Sequence, residues 1–148
     1  MKNVILNNGT EIPEIGFGTW QTTEGVQKTV KAALEAGYRH IDTADIYGNE
    51  EEIGEAIEES GIERKDLYLT TKVWNSNRSA EGVKYSVEQS LKKLKTNYLN
   101  LLLIHWPANE KQFENWKDIN AETWKAMEVL YNSGVVHTFG VINFLFPQ

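Results

Sequence analysis

Short apolar runs and helical apolar stripes take turns along this chain. Val4-Ile5-Leu6 and Glu11-Ile12-Pro13 flank Asn7-Asn8-Gly9-Thr10, a turn-forming cluster whose glycine suits a positive φ, and together they predict an N-terminal hairpin. Ile15-Gly16-Phe17-Gly18-Thr19 reads as a first buried strand, and Val26, Val30, Ala33 and Leu34 then recur at helical spacing until Gly37. Residues 38–42 predict a second strand. Residues 50–59 predict a second helix, its acidic start suited to the positive end of the dipole, with Gly61 as its close. After a third strand over 67–72, Ser79-Ala80-Glu81 opens a helix with Val83, Val87, Leu91 and Leu94 as its stripe. The run 99–104 is apolar on both sides, as suits a parallel strand covered on both faces. The polar stretch from 107 to about 119 reads as an enlarged loop; Trp124, Met127, Leu130 and Tyr131 pattern a fourth helix ending near Gly134, and 135–142 a fifth strand. Such alternation, with no linker or repeat, predicts a parallel α/β fold.

Composition narrows the setting. With 148 residues, 41% hydrophobic and 24% charged, one ordinary soluble domain over 1–148 is expected. The lack of cysteine removes disulfides and thiolate metal sites, and the polar Met1-Lys2-Asn3 start has no apolar stretch of a secretory signal, so a cytoplasmic address is expected. Asn77-Arg78-Ser79 matches a glycosylation acceptor, but without an export signal it reads as a loop leading into a helix cap. A net charge of −6 argues against a nucleic-acid partner, because phosphate neutralisation needs clustered Lys and Arg. Lys92-Lys93-Leu94-Lys95 is the one basic cluster and fits the last turn of a helix. No apolar run reaches the length of a membrane span.

Three of the predicted strands end in ionisable residues: Asp42 after His40-Ile41, Lys72 after Leu69-Thr70-Thr71, and His105 after Leu103-Ile104. Lys72 follows Asp42 by 30 residues and His105 follows Lys72 by 33, each about one strand, one helix and two loops of a β-α-β unit. Asp, Lys and His therefore recur at the same end of neighbouring parallel strands, which in a barrel of such units is the catalytic face. Tyr47 follows closely after Asp42. Tyrosine is a poor acid near neutral pH, but an ammonium within hydrogen-bonding reach stabilises its phenolate and makes it a usable proton donor. A carboxylate such as Asp42 keeps that ammonium charged and fixed, and a neutral His105 can orient a substrate oxygen. The set is suited to polarising and protonating a carbonyl, and contains no nucleophile of its own.

In this order and setting the residues resemble the aldo-keto reductase family. The likeness covers most of the chain: Gly16-Phe17-Gly18-Thr19-Trp20, Gly37 to Ala44 with Tyr47-Gly48-Asn49-Glu50, Thr71-Lys72-Val73-Trp74, Leu103-Ile104-His105-Trp106-Pro107 and Gly140-Val141-Ile142-Asn143-Phe144. The resemblance implies a (β/α)8 TIM-type barrel and NADPH-dependent reduction of aldehydes or ketones. Tyr47 would be the acid, Lys72 and Asp42 would tune it, and His105 would orient the carbonyl. It also implies a substrate pocket lined by Trp20, Ile46, Trp74 and Trp106, and cofactor contacts at Gly18, Thr19, Asp42 and Asn143. At Ile142 the family usually has Ser, and Ile cannot replace that hydrogen bond. Gly16-Phe17-Gly18 lacks the third glycine of a Rossmann fingerprint.

A full barrel needs about 250 residues, whereas only about five strands precede Gln148, so an incomplete barrel of half to five-eighths is expected. In the family the second half holds the adenosine phosphate, which implies weak NADPH binding and little turnover from this chain alone. Phe144-Leu145-Phe146-Pro147-Gln148 also departs from the polar helix start expected after such a strand, as a truncated or frame-shifted coding sequence would. Open strand edges favour self-association. Two other readings stay open: a non-catalytic half-barrel, and a metal-dependent barrel hydrolase using His40, Asp42, Lys72 and His105 as ligands.

Overall fold

The computed structural model describes residues 2–145. Phe146, Pro147 and Gln148, part of the unusual ending noted above, lie outside the described residues. The hairpin forms as predicted: β1 (Asn3–Ile5) pairs antiparallel with β2 (Glu11–Pro13) around Gly9 at φ 82°. A five-stranded parallel sheet follows in sequential order, β3 (Phe17–Gly18), β4 (His40–Asp42), β5 (Tyr68–Val73), β6 (Leu101–Ile104) and β7 (Phe139–Val141). Between its strands run α1 (Val26–Glu35), α2 (Glu50–Ser60), α3 (Ala80–Lys93) and α4 (Trp116–Asn132). Sequential parallel strands with a helix between each successive pair are an arc of a (β/α)8 barrel. Among the described residues β3 and β7 are its two edges.

Alternation along each strand sorts the side chains. Ile41, Leu69, Leu102 and Ile104 face outward and pack against Val30, Ile53, Val83, Val87 and Met127 of the helices, forming the core. Each such fully buried aliphatic side chain contributes about 1.5–3 kcal/mol. The intervening residues, His40, Asp42, Thr70, Lys72, Leu101 and Leu103, face the concave side. The helix ends follow the local chemistry expected of them. Ser79 Oγ accepts the Gly82 amide at 3.1 Å as the cap of α3, and Gly61 ends α2 at φ 68°. No helix among the described residues is long and apolar enough to cross a membrane.

Several expectations need correction. The strand at 99–104 is not covered on both faces: Leu101 and Leu103 are only half-buried, because they point into the concave side that five strands leave open. The first strand is shorter than predicted and Ile15 is 57% exposed, since β3 lies at the sheet edge with a neighbour on one side. The fifth strand shrinks to 139–141, with only a single bridge, Leu99 to Val136, before it. The fourth helix begins at Trp116, inside the predicted loop. Just past that stretch Asn120 folds its amide onto Ala108, donating to the carbonyl at 3.0 Å and accepting the N–H at 2.8 Å. Of the predicted stripe on α4 only Met127 is fully buried; Trp124 and Tyr131 tilt against Phe139 at 4.7 and 5.5 Å and stay more than a third exposed beside the β7 edge.

Candidate active site

Register brings the strand-end residues to one face. Gly18 pairs with Asp42, Asp42 with Thr70, and Lys72 with Leu103. Lys72 lies two residues beyond Thr70 and His105 two beyond Leu103. Because side chains alternate with a period of two, an offset of two keeps all three on the concave side. An offset of one would have sent one of them into the helix layer.

Lys72 is the hub. It is 4% exposed, and its Nζ donates to Asp42 Oδ1 at 2.5 Å, to the Thr43 carbonyl at 2.8 Å and to Tyr47 Oη at 3.4 Å. A buried ammonium is stable only with such partners, and here a carboxylate and a carbonyl supply them. Tyr47 closes a 3-10 turn, Asp45–Tyr47, ended by Gly48 in the left-handed region. Its ring meets His105 edge-on at 5.7 Å, and His105 meets Trp74 at 5.1 Å. Burial, aided by the Lys72 charge and opposed by Asp42, holds the His105 imidazole below its ordinary pKa, which favours its neutral form.

Above this cluster opens a cavity of about 700 Å³ lined by Trp20, Ile46, Tyr47, Trp74, His105 and Trp106, with Gln21, Thr22, Thr23, Ile142 and Asn143 completing the wall. Trp20, Ile46 and Trp106 are between 47% and 67% exposed, so they form a rim more than a closed pocket. Asn143 donates its Nδ2 to the His105 carbonyl at 2.8 Å. Thr19 does not reach the cavity with its side chain. It is fully buried, and its amide and hydroxyl both donate to the Asp42 carbonyl, at 3.0 and 3.1 Å. Gly18 is exposed, with nothing within 4 Å of where a Cβ would stand. His40 shares the face but stays apart, bonded through Nε2 to Thr70 Oγ1 at 2.9 Å and packed on Tyr68. Among the described residues no three His, Asp or Glu side chains converge as metal ligands would.

The sequence model of the Aldo/keto reductase family matches residues 14–147. The chain belongs to the aldo/keto reductase family. A crystal structure of an aldo/keto reductase from Brucella melitensis superposes on this aldo/keto reductase with a TM-score of 0.90 at 48% identity, covering 97% of this chain and 54% of that one. A Bombyx mori aldo-keto reductase in complex with NADP gives a TM-score of 0.83 at 35% identity, over 95% and 50% of the two chains. Glyoxal reductase of Bacillus subtilis is 46% identical over 143 residues, which are 95% of this chain and 49% of that protein. The chain spans about half the length of the curated relatives it matches.

Behind the concave cluster, this aldo/keto reductase carries a second polar group that the sequence reading missed. Asn49 donates to the carbonyls of Thr19 and Thr22 at 2.9 and 3.2 Å, joining the loop after β3 to the start of α2. Glu50, read as a helix-dipole residue, is 1% exposed. Its carboxylate accepts from Thr71 Oγ1 at 2.7 Å and Ser90 Oγ at 3.0 Å, with Lys93 Nζ at 3.8 Å. Lys93 also reaches Asp45 at 3.2 Å, so a cation from α3 steadies the turn that carries Tyr47. An acidic run after a glycine gives no sign that one member turns inward.

Burial raises the Glu50 pKa, with both hydroxyls and then Lys93 opposing. For an acid whose folded pKa lies above the unfolded value of 4.5, its stabilisation is complete below that value and is lost as pH rises through the folded pKa. Relative to wild type, Glu50→Gln should therefore gain stability as pH climbs above 4.5. Urea midpoints of the two proteins measured from pH 4 to 8 check this: a constant difference across the range would refute it.

Proposed function

We propose that this chain carries the acid-base half of an NADPH-dependent reductase site that converts aldehydes or ketones to alcohols. The carrying observation is the contact of one buried ammonium, Lys72, with both Asp42 and the hydroxyl of Tyr47, whose ring meets His105 edge-on. Tyr47 gives its proton to the carbonyl oxygen as negative charge develops there. Lys72 stabilises the phenolate that this leaves, and Asp42 keeps Lys72 charged and aimed. His105, neutral, donates a hydrogen bond that orients the oxygen before transfer. The tryptophan rim favours an apolar substrate body.

NADPH, when bound, supplies the hydride. The residues here fit its nicotinamide end. Asn143 borders the cavity with Nδ2 committed to His105, which leaves Oδ1 as acceptor for a carboxamide N–H. Asp42 keeps a third of its side-chain surface exposed beside the open Gly18 backbone, and Thr19 acts through Asp42, whose carbonyl it holds. Ile142 offers no side-chain donor. The NADP complex of the Bombyx mori relative supports the cofactor assignment, and the glyoxal reductase relative supports aldehydes as the first substrates to try.

The test is a fluorescence titration with NADPH, with NADH as comparison, followed by aldehyde-dependent loss of nicotinamide absorbance. Saturable NADPH binding and slow, aldehyde-dependent oxidation are expected. Absence of NADPH binding up to millimolar concentration would overturn the reading in favour of a non-catalytic scaffold.

A further inference from the structure

Beyond the end of β6 the chain leaves its ladder, and the carbonyls that follow need other partners. They receive them from side chains of three separate elements. The His105 carbonyl accepts from Asn143 at 2.8 Å, and the Ala108 carbonyl from Asn120 of α4 at 3.0 Å. Between these, Arg78 Nη2 donates to the Pro107 carbonyl at 3.1 Å and to the Trp106 carbonyl at 3.4 Å. Four consecutive carbonyls are thus held from outside the segment. Arg78 itself is 8% exposed, has no carboxylate within ion-pair distance among the described residues, and leaves its buried Nε without a partner. Phe113 lies under the guanidinium at 5.5 Å, and buried Thr123 donates to the Arg78 carbonyl at 2.7 Å. Burying an arginine with no anion is costly, and here a single terminal nitrogen, Nη2, serves two adjacent carbonyls.

What the clamp controls is Trp106. Its indole borders the cavity yet is 47% exposed, so packing on its own cannot fix it; the backbone beneath must. We infer that Arg78 is a positioning residue that sets substrate preference: by holding the Trp106 and Pro107 carbonyls, it fixes the Trp106 indole as an apolar wall for carbonyl substrates with an aromatic body. The substrate part of this inference rests on the reductase reading above, whereas the positioning part does not.

The experiment uses the chain labelled with 5-fluorotryptophan, whose five tryptophans give separate fluorine NMR signals, with Trp106 assigned from Trp106→Phe. Arg78→Met should shift or broaden the Trp106 signal while leaving that of Trp74 unchanged. Benzaldehyde should move the Trp106 signal of wild type and bind the variant about tenfold more weakly, the size of change expected from one displaced apolar contact. Acetaldehyde, too small to reach the indole, should bind both alike. An unchanged Trp106 signal, or equal disturbance of all five signals, would overturn the positioning role. Failure of benzaldehyde to move the wild-type Trp106 signal would overturn the substrate role. Should Arg78→Met not fold, Arg78→Gln decides: it keeps a polar amide but is too short to reach both carbonyls, and a Trp106 signal identical to wild type would sink the proposal. Loss of the reductase reading would show separately, as absent NADPH oxidation, and leaves the fluorine result standing.

Discussion

Tyr47→Phe should leave NADPH affinity unchanged and lower aldehyde-dependent NADPH oxidation by about 10²- to 10⁴-fold, the usual contribution of one positioned general acid. That corresponds to about 3–5.5 kcal/mol of transition-state stabilisation. The variant removes one oxygen and keeps the ring, so the edge-on contact with His105 at 5.7 Å and the Lys72 ammonium 5.0 Å above the ring survive. Lys72→Met should also reduce turnover strongly, but added to Tyr47→Phe it should cost little more, because the ammonium acts on the reaction through the phenol that is no longer there. Such non-additivity is the signature of groups working as a unit. Single-turnover rates of the two single variants and the double variant, at saturating NADPH, measure it. Additive losses would mean that Lys72 serves the fold or the cofactor and not the proton, and an unaffected Tyr47→Phe rate would remove Tyr47 from the chemistry.

The convergence of Asp42, Tyr47, Lys72 and His105 was readable before any coordinates because it depends on two local rules. Each of Asp42, Lys72 and His105 closes a run that reads as a strand, and β-α-β spacing returns the chain to the same sheet end. The even register offsets then follow from one face being buried against helices. What escaped the reading depends on contacts between distant segments. Glu50 sits in an acidic run that locally asks only for a helix start, and its inward turn is decided by Thr71 and Ser90, 21 and 40 residues away. Arg78 belongs to a loop whose local signal is the cap at Ser79; its role is decided by carbonyls 28 and 29 residues further on. The start of α4 was misplaced for the same reason: its first turn follows a polar stretch, and the bond pair that ties it down joins Asn120 to Ala108, 12 residues back. Leu101 and Leu103 look like core residues in any window of sequence, and only the number of strands in the sheet says that their side stays open.

Gly54→Ala is expected to destabilise the chain by about 3 kcal/mol, at the upper end of overpacking costs. The intrinsic effect has the opposite sign: alanine in a helix interior is better than glycine by about 1 kcal/mol. Gly54 lies within α2, where the helix crosses the end of α3, and a methyl there would enter the van der Waals radius of the Lys93 carbonyl oxygen and stand 3.0 Å from Leu94 Cα. These are backbone atoms, so no side-chain rotation relieves the clash, and α2 must move away from α3. That movement also parts Glu50 from Ser90 and Lys93, and so loosens the support of the turn carrying Tyr47. Urea unfolding measures the effect, with Gly18→Ala as control, because its added methyl meets nothing within 4 Å and should leave the midpoint nearly unchanged. A midpoint for Gly54→Ala equal to or above that of wild type would mean that the two helices do not approach as closely as described. The route from α3 through Lys93 to the Tyr47 turn would then have to be abandoned.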